Sequence, residues 1–515
     1  MVHEAVLQDD NKKHMKQILS IILLGFTSYT SVFAQNELDA LRYSNLNYSG
    51  TARFNAMGGA FTALGGDFSS ISINPASAGI YRSSELTFTP SFLFTSNSAD
   101  FYGKTTDNGR LNFNIGNIGY VGHSKQDKNG WKALNFAVGY SRTNSFNREY
   151  NFRSGYEDTL SIIDPFVTEL NTYNSGFGLA ANQIGSYYPA DISLAYETYL
   201  FDSLDIGGYG VRFNDVAGIS KSFNVIEKGG MGDLGITVGA NYEDKLYIGA
   251  AVAFSIVNFN QQTTYKERMK YSKPIDSTYQ ANGFYRVNEF TRRTSLDVTG
   301  SGVNLKFGLI YKPIDAVRVG ASIQSPTYLS LDDNYSTSYS SSLSDGSSFS
   351  DEYLSEFGYR INTPWRTNAG VGFILAKKAI ISADYEYVNY PKAKLKDAID
   401  ATSSYGFEEE NIRINDDFSK AHNIRLGLEY RINQPYSVRA GFKYNDNPLN
   451  TNLSENLSAK TFSAGVGYKD EKGYFIDLAY SLRQYSETQI LQGIMNTANL
   501  DQNSHLIQFT VGLRY

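Results

Sequence analysis

The side chains that could carry out chemistry in this chain are few and poorly spaced for it. There is no Cys, which removes disulfides, thiolate catalysis and cysteine-based metal sites. Beyond residue 34 the histidines are His123, His422 and His505, on three separate stretches, so nothing brings metal or haem ligands together. Ser504 beside His505 is too little for a nucleophile and its base, and neither GxSxG nor HExxH occurs. The glycine pairs Gly58-Gly59 and Gly65-Gly66 could suggest a phosphate cradle. A P-loop, however, needs Lys directly after its last glycine, and Asp67 stands there. A GxGxxG fingerprint between strand and helix is also missing. The expectation is a protein that is not an enzyme, with no catalytic residue, no cofactor and no metal.

The glycines read better as packing. Residues 52–79 are almost all small, with Asn74-Pro75-Ala76 forming a turn. Small residues let one backbone lie close against another. Everything after this stretch reads as long alternating strands, so residues 35–83 are expected to form a plug inside a barrel made by residues 84–515. The plainer alternative is an irregular segment that only fills space. Ahead of the plug lies a targeting pattern. Lys12, Lys13 and Lys16 precede an apolar core at 18–26, and Val32-Phe33-Ala34 fits a cleavage site before Gln35. Residues 1–34 thus read as a signal peptide, with 1–14 a start-site extension, because Met15 begins a complete signal by itself. No later apolar run approaches the ~20 residues of a membrane helix. A net charge of −6 argues against nucleic acid as a partner.

The dominant signal from residue 84 onward is period two. Ile507, Phe509, Val511, Leu513 and Tyr515 share one face of the last strand, and Ile424, Leu426, Leu428 and Tyr430 share one face of an earlier one. Fourteen such stretches fall near 84–97, 110–124, 132–147, 234–243, 245–258, 296–313, 315–331, 356–376, 378–390, 420–432, 436–446, 458–469, 473–487 and 504–515. Most reach the ~9–11 residues that cross a bilayer at a tilt. Connections alternate between short turns and long polar loops at 98–109, 148–233, 259–295, 332–355, 391–419, 447–457 and 488–503. That asymmetry belongs to outer-membrane barrels, with apolar side chains facing lipid and polar ones the lumen. Tyr385, Tyr387, Tyr390, Tyr430 and Tyr444 suit an interfacial girdle. The fold class is therefore all-β, a transmembrane antiparallel barrel of about fourteen strands with an N-terminal plug.

The 148–233 loop carries helical signals. Asp164-Pro165 leads into Phe166, Val167 and Leu170, and Ile192, Tyr196, Tyr199 and Leu200 share a helical face. Two such helices could form a greasy cleft that captures a ligand, or could pack together as a cap. The Ser-rich 332–355 loop is expected to be mobile. Arg425 and Arg439 fall on lumen-facing positions. A carboxylate-bearing ligand could use them, though pairing with other charges is the simpler role.

The stretch GGAFTALGGDFSSISINPA (58–76), the strands FNIGNIGYVG (113–122) and LNFAVGYSR (134–142), and the terminal Tyr515 resemble the FadL-type outer-membrane transporters of hydrophobic compounds. The resemblance implies a fourteen-stranded barrel in the outer membrane of a Gram-negative bacterium. It also implies lipid and the outer-membrane assembly machinery as partners. In that family long-chain fatty acids or aromatic hydrocarbons cross passively. The resemblance further implies a side opening at a kink in the third strand, for which Gly139 is the candidate because a glycine inside a strand marks bends. The expected function is passive uptake of a hydrophobic small molecule, with capture at the outer loops and lateral release. The alternative is a protein-interaction barrel serving a secretion system.

Overall fold

The computed structural model describes residues 37–173, 184, 190–204, 208–213, 215–274, 285–376, 378–399, 405–433, 435–450, 456–491 and 496–515. Residues 1–34, where a signal peptide is expected, lie outside them. Fourteen antiparallel staves close into one barrel. They are β1 (Glu85–Phe101), β2 (Lys104–Lys128), β3 (Trp131–Ser145), β4 (Val216–Tyr242), β5 (Leu246–Tyr271) and β6 (Val287–Ile314). Two interrupted staves follow, β7 (Val317–Gln324 with Tyr328–Leu343) and β8 (Ser348–Asn362 with Arg366–Leu375). The wall is completed by β9 (Ala379–Asn389), β10 (Lys420–Asn433), β11 (Tyr436–Asn445), β12 (Ala459–Lys469), β13 (Tyr474–Leu491) and β14 (Asn496–Arg514). β14 pairs with β1 from Glu85↔Arg514 to Asp100↔Asn499, which removes the sheet edge.

The faces sort as a membrane barrel requires. Leu426, Leu428, Ile476, Leu478, Ile507 and Phe509 are exposed on the outside, whereas Arg425, Glu429, Asp477, Gln508 and Thr510 are buried inside. Tyr385 and Tyr430 are exposed at the edges of this apolar band. Tyr390 departs from the expected girdle, since it is buried and packs in an interior apolar cluster.

Several expected loops are strand. Residues 98–109 continue β1 and β2 around a turn at Tyr102-Gly103. The Ser-rich 332–355 segment is a regular ladder running to Ser342↔Ser348. Most of 488–503 belongs to β13 and β14, and β4 begins at Val216, well before residue 233. The cause is that both faces of these extensions lie beyond the lipid, so the apolar–polar alternation disappears while the backbone ladder persists. β4, β5 and β6 hold 27, 26 and 28 residues. At about 3.3 Å per residue each is about three times as long as the ~30 Å hydrocarbon layer is thick. They project beyond it at the rim opposite the short turns.

The plug is a chain of short capped turns. Helix α1 (Glu37–Ser44) leads to α2 (Ala52–Ala56), capped by Thr51 Oγ1 accepting from Phe54 N at 3.1 Å. Asp67 caps the 3-10 turn Phe68–Ser72 by accepting from Ser69 N at 3.0 Å. Asn74 caps Pro75–Ile80, with Oδ1 accepting from Ala76 N at 3.1 Å and Pro75 at the first position, where its missing N–H costs nothing.

Wall and plug meet backbone to backbone. Gly239, Gly249 and Gly308 are consecutive cross-strand partners on β4, β5 and β6. A Cβ at Gly249 would stand 2.4 Å from the Pro75 carbonyl, and one at Gly308 would stand 1.8 Å from Asn74 Oδ1. Gly427 and Gly441, partners on β10 and β11, face Met57 and Gly58 in the same way. Gly58 itself has φ +62° and a Cβ there would stand 2.7 Å from Phe442 O. Gly249→Val is accordingly expected to close a barrel whose plug no longer seats. An overpacking cost of about 1–3 kcal/mol falls on the interface. The measurement is limited proteolysis of the folded barrel, where new cuts between residues 52 and 80 are expected and a fully protected plug would contradict the packing.

Candidate functional site

A notch interrupts the wall between β2 and β3. The two strands pair from Lys128↔Trp131 to Asn117↔Ser141 and no further. β2 stays paired with β1 out to Phe101↔Lys104, while β4 turns to pair with Arg148–Arg153. Two irregularities frame the gap. On one side the β1–β2 register slips at Thr89/Pro90, with Gly116 as the extra residue. Pro90 has no N–H to donate, which places it at a bulge. On the other side the β3–β4 register slips between Arg142 and Asn144. A pocket of about 360 Å³ opens here, lined by Phe113, Tyr140, Arg142, Asn147, Gly232 and Ile256 among others.

The freed edge of β3 does not stay bare. Asn47 N–H donates to Thr143 O at 2.7 Å and Ser49 N–H donates to Arg142 O at 3.0 Å. Ser49 and Arg142 form an isolated antiparallel bridge. Arg142 Nε reaches across the gap to Ile115 O at 3.4 Å, and Asn144 Nδ2 donates to Asn45 O at 3.0 Å. Plug residues 45–49 therefore stopper the notch from inside, acting as a short added strand.

Gly139 is not the break. It sits in an unbroken row, Gly119↔Gly139↔Gly235, and a Cβ there would stand 2.3 Å from Ile118 O and 2.6 Å from the Phe68 ring. Its glycine makes room for a plug side chain, and the interruption lies farther along β3, between Arg142 and Asn147. Pro90 within an alternating strand was the available sequence signal. The pairing between residues 45–49 and β3 had none, because two isolated backbone bonds leave no periodicity.

Inside, the lining changes with height. At plug level it is ionic. Arg53 Nε donates to Glu429 at 2.7 Å, Arg439 Nε donates to the same carboxylate at 2.8 Å, and Arg439 also reaches Asp477 at 2.6 Å. Arg425 pairs with Glu386, as does Arg366 at 2.5 Å. Arg425 and Arg439 are thus both taken by carboxylates. Asp384 receives Thr62 N–H at 2.7 Å. The remaining plug-motif residues are in contact with the wall or with one another. Asn74 Nδ2 donates to Thr62 O at 2.7 Å and Leu309 O at 3.2 Å, and Gly65 and Gly66 turn with φ +57° and +69°. Above this level an apolar cluster lies beside further buried ion pairs, among them Arg148 with Glu227 and Glu487. Leu41 and Tyr43 of α1 pack with Phe146, Met231, Val257, Phe259 and others, a greasy belt that reaches the notch through Phe146.

The far rim carries a second apolar core. Helices α3 (Asp164–Tyr173) and α4 (Ala190–Glu197) form where the spacing of apolar residues predicts them. Leu170, Ile192 and Leu200 are fully buried, and Phe166, Val167 and Tyr196 pack partly buried against the same cluster. Among the ligand-capture candidates Tyr199 alone is exposed, its ring tilted against Phe349 with centroids 4.4 Å apart. The helices therefore pack into one apolar core that caps the barrel. Glu267 sits beneath this cap, on β5 well past the last lipid-facing residue, Ile256. It accepts from Ile162 N at 3.0 Å and from Tyr265 Oη at 2.5 Å. Burial pushes its carboxyl up to about 7, against hydrogen bonds from Ser161, Tyr265 and Ile162 and the Lys221 charge that lower it. Lys221 is itself bound to Asp158 at 2.8 Å.

Comparison with known proteins points one way. The family described as outer membrane protein transport protein (OMPP1/FadL/TodX) matches residues 234–515, more than half of the chain. The crystal structure of the P. putida toluene transporter TodX aligns with a TM-score of 0.52 at 14% identity, covering 91% of this chain and 99% of that one. A TodX deltaS2S3 mutant described as a monoaromatic hydrocarbon channel aligns with a TM-score of 0.52 at 13% identity, covering 91% and 99%. At such identities these structures establish the fold. No curated protein matches the chain.

Two outcomes follow from the charges. Glu429→Ala leaves buried Arg53 without its carboxylate and Arg439 with Asp477 alone. It should destabilise the folded barrel by about 3 kcal/mol, the scale of a broken buried ion pair, read from urea unfolding in lipid vesicles. Glu267 is protonated more readily folded than unfolded, so its contribution to cap docking is full at low pH and is lost as pH rises through about 7. Amide exchange at Ile162 should therefore accelerate from pH 6 to pH 8 beyond the intrinsic rate change. Glu267→Gln should abolish that excess.

Proposed function

We propose that this chain, which belongs to the outer membrane protein transport family (OMPP1/FadL/TodX), is a passive channel that admits a hydrophobic small molecule and releases it sideways into the membrane. The family membership supports an outer-membrane location and a hydrophobic cargo. The single observation that carries the release step is the notch between β2 and β3, stoppered by residues 45–49. The short-turn rim then faces the periplasm, as in outer-membrane barrels generally. The capped rim faces outward and receives the ligand. The apolar belt around α1 supplies a path whose inner end lies beside the notch.

The physical advantage of a side exit is large. Holding a ligand in water rather than lipid costs roughly 0.8 kcal/mol per CH2. A wall opening delivers the ligand to hydrocarbon with no aqueous step. Nothing in this scheme requires bond-making, so we read the protein as a conduit rather than an enzyme. Outer-membrane lipid contacts its apolar belt, and the exposed terminal Tyr515, whose N–H donates to Ser84 O at 3.0 Å, is the element offered to the assembly machinery.

The test uses the absence of native cysteine. Ser49 and Arg142 form a β-bridge, and antiparallel partners lie about 4.5–5.5 Å apart, within disulfide reach. In proteoliposomes, Ser49→Cys with Arg142→Cys is expected to stop uptake of labelled toluene when oxidised and to restore it on reduction. Equal uptake in both redox states would remove the side exit, since the reduced form controls for both substitutions.

A further inference from the structure

The sheet that rises at the capped rim ends in an open edge. β7 and β8 pair without a register shift from Tyr328↔Asn362 to Ser342↔Ser348. On the far side of β8 the described chain supplies only Lys394–Asp397, which pairs with residues 359–362 and stops. Among the described residues, Ser348 to Gly358 therefore has a strand on one side only. We propose that this edge docks an extended, basic segment of a partner protein, which pairs with it backbone to backbone and continues the lane that Lys394–Asp397 begins. Such docking is independent of ligand passage.

The alternation of an antiparallel ladder shows which backbone groups are idle. Thr363 N–H donates to Thr327 O on the β7 side at 3.1 Å, so the odd-numbered amides of this segment point that way. Leu395 turns its N–H and C=O away from β8 to the side chain of Asn411, which leaves Lys394 and Lys396 to bond with Asn362 and Arg360. The N–H and C=O groups of Ser350, Glu352, Leu354, Glu356 and Gly358 therefore point to the open side. Glu352 N–H is met there by the side chain of the residue before it, Asp351 Oδ1, at 2.9 Å. The strand is also held in place. Phe349 packs against the cap core and Phe357 against the belt cluster, while Ser350 to Leu354 between them are exposed on both faces. Exposed edges are usually blunted by Lys, Pro or a bulge, and residues 348–358 contain none of the three.

The side chains define the segment that fits. Glu352, Leu354 and Glu356 share the outer face, and Leu354 is 71% exposed at its centre. Asp332 stands on the same face across from Gly358, and Asp351 lies on the other face. All four carboxylates are exposed, and among the described residues none has an ion pair. Arg293 on the outer face is two strands away, and Lys396 lies past the end of the open edge. Opposite charges and apolar pairs directly across a ladder stabilise it, and like charges destabilise it. The matching pattern is basic–x–apolar–x–basic, which reads the same in either chain direction. A second copy of this chain fits poorly, because pairing Leu354 with its twin would set Glu352 against Glu356 twice.

The experiment measures fluorescence polarisation of labelled peptides with the full barrel in lipid nanodiscs. The peptide Thr-Lys-Thr-Leu-Thr-Lys-Thr carries the pattern, and Thr-Glu-Thr-Leu-Thr-Glu-Thr is its acidic control. The lysine peptide should bind about tenfold or more tightly, the scale of several cross-strand charge pairs. Glu352→Gln combined with Glu356→Gln should erase most of that preference. N-methylation of the Lys and Leu amides should abolish binding if the strands run antiparallel, and N-methylation of the Thr amides if they run parallel. One set must matter and the other must not. Leu354→Pro removes an N–H that faces the open side while sparing the ladder to β7, and it should abolish binding. No binding of the lysine peptide overturns the proposal, as does equal binding of the two peptides. Equal loss or equal retention in both methylated forms overturns strand pairing. Self-association of the parent that Leu354→Pro abolishes would assign the edge to a second copy instead. Should Leu354→Pro fail to assemble, the methylated peptides, which need no variant, decide the matter.

Discussion

Every backbone N–H and C=O that enters hydrocarbon must find a partner within the protein, because lipid supplies none. That constraint explains closure, with β14 returning to β1 along nearly the whole length of both strands. It also gives the notch its meaning. Where β2 and β3 part, carbonyls at Ile115, Arg142 and Thr143 lose their ladder partners, and each is met by something else. The Arg142 guanidinium takes the first, and the amides of Ser49 and Asn47 take the other two. A defect in packing would leave such groups bare. Here the chain has supplied a partner for each from the plug or from a side chain, so the gap and its stopper are one device.

The same constraint shapes the plug. It has no long helix or sheet of its own, so its backbone groups are met by short caps and by the wall. Close approach is what allows this, and glycine on both sides is what allows close approach. The row Gly239–Gly249–Gly308 meets Asn74, Pro75 and Gly79, while Gly427 and Gly441 meet Met57 and Gly58. The cost of enclosing charge is offset locally, since Glu429 sits between Arg53 of the plug and Arg439 of the wall, and Asp477 completes the set. Such an arrangement fixes the plug in one register, because sliding it by one residue would strand an arginine from its carboxylate.

How much of this was readable in advance follows the physics of each element. The fourteen membrane-crossing stretches were legible, because lipid on one face and a polar lumen on the other impose period two over ten residues or more. The ladder extensions were not, because the inner face of Asp332 to Asp351 buries mostly polar side chains such as Asp333, Thr337 and Ser341 and the outer face meets water, which leaves no apolar alternation. The glycine-rich plug was legible as close packing, though which wall glycine met which plug residue was not. Gly139 misled because a strand glycine signals either a bend or a close neighbour. Here the neighbour was Phe68, and Pro90 marked the bend. Arg425 and Arg439 were correctly placed on the inner face, but partners at Glu386, Glu429 and Asp477 are set by register between strands, which a linear pattern does not carry.

The two ways out of the barrel can be weighed in these same terms. An axial route requires the plug to leave the wall. That means parting Arg53 from Glu429, a buried pair whose rupture costs on the order of 3–5 kcal/mol, and undoing many backbone contacts at once. The side route requires residues 45–49 to release two backbone hydrogen bonds to β3 and side-chain bonds from Asn144, Lys443 and Gln508, each worth about 0.5–1.5 kcal/mol net. A ligand resting on the apolar belt beside Phe146 is already on the near side of that strand. Motion of so short a segment leaves the glycine rows and the ionic anchor undisturbed, so the proposed side exit would keep the barrel stoppered along its axis. The difference in cost, more than the presence of the notch alone, is what favours the lateral path.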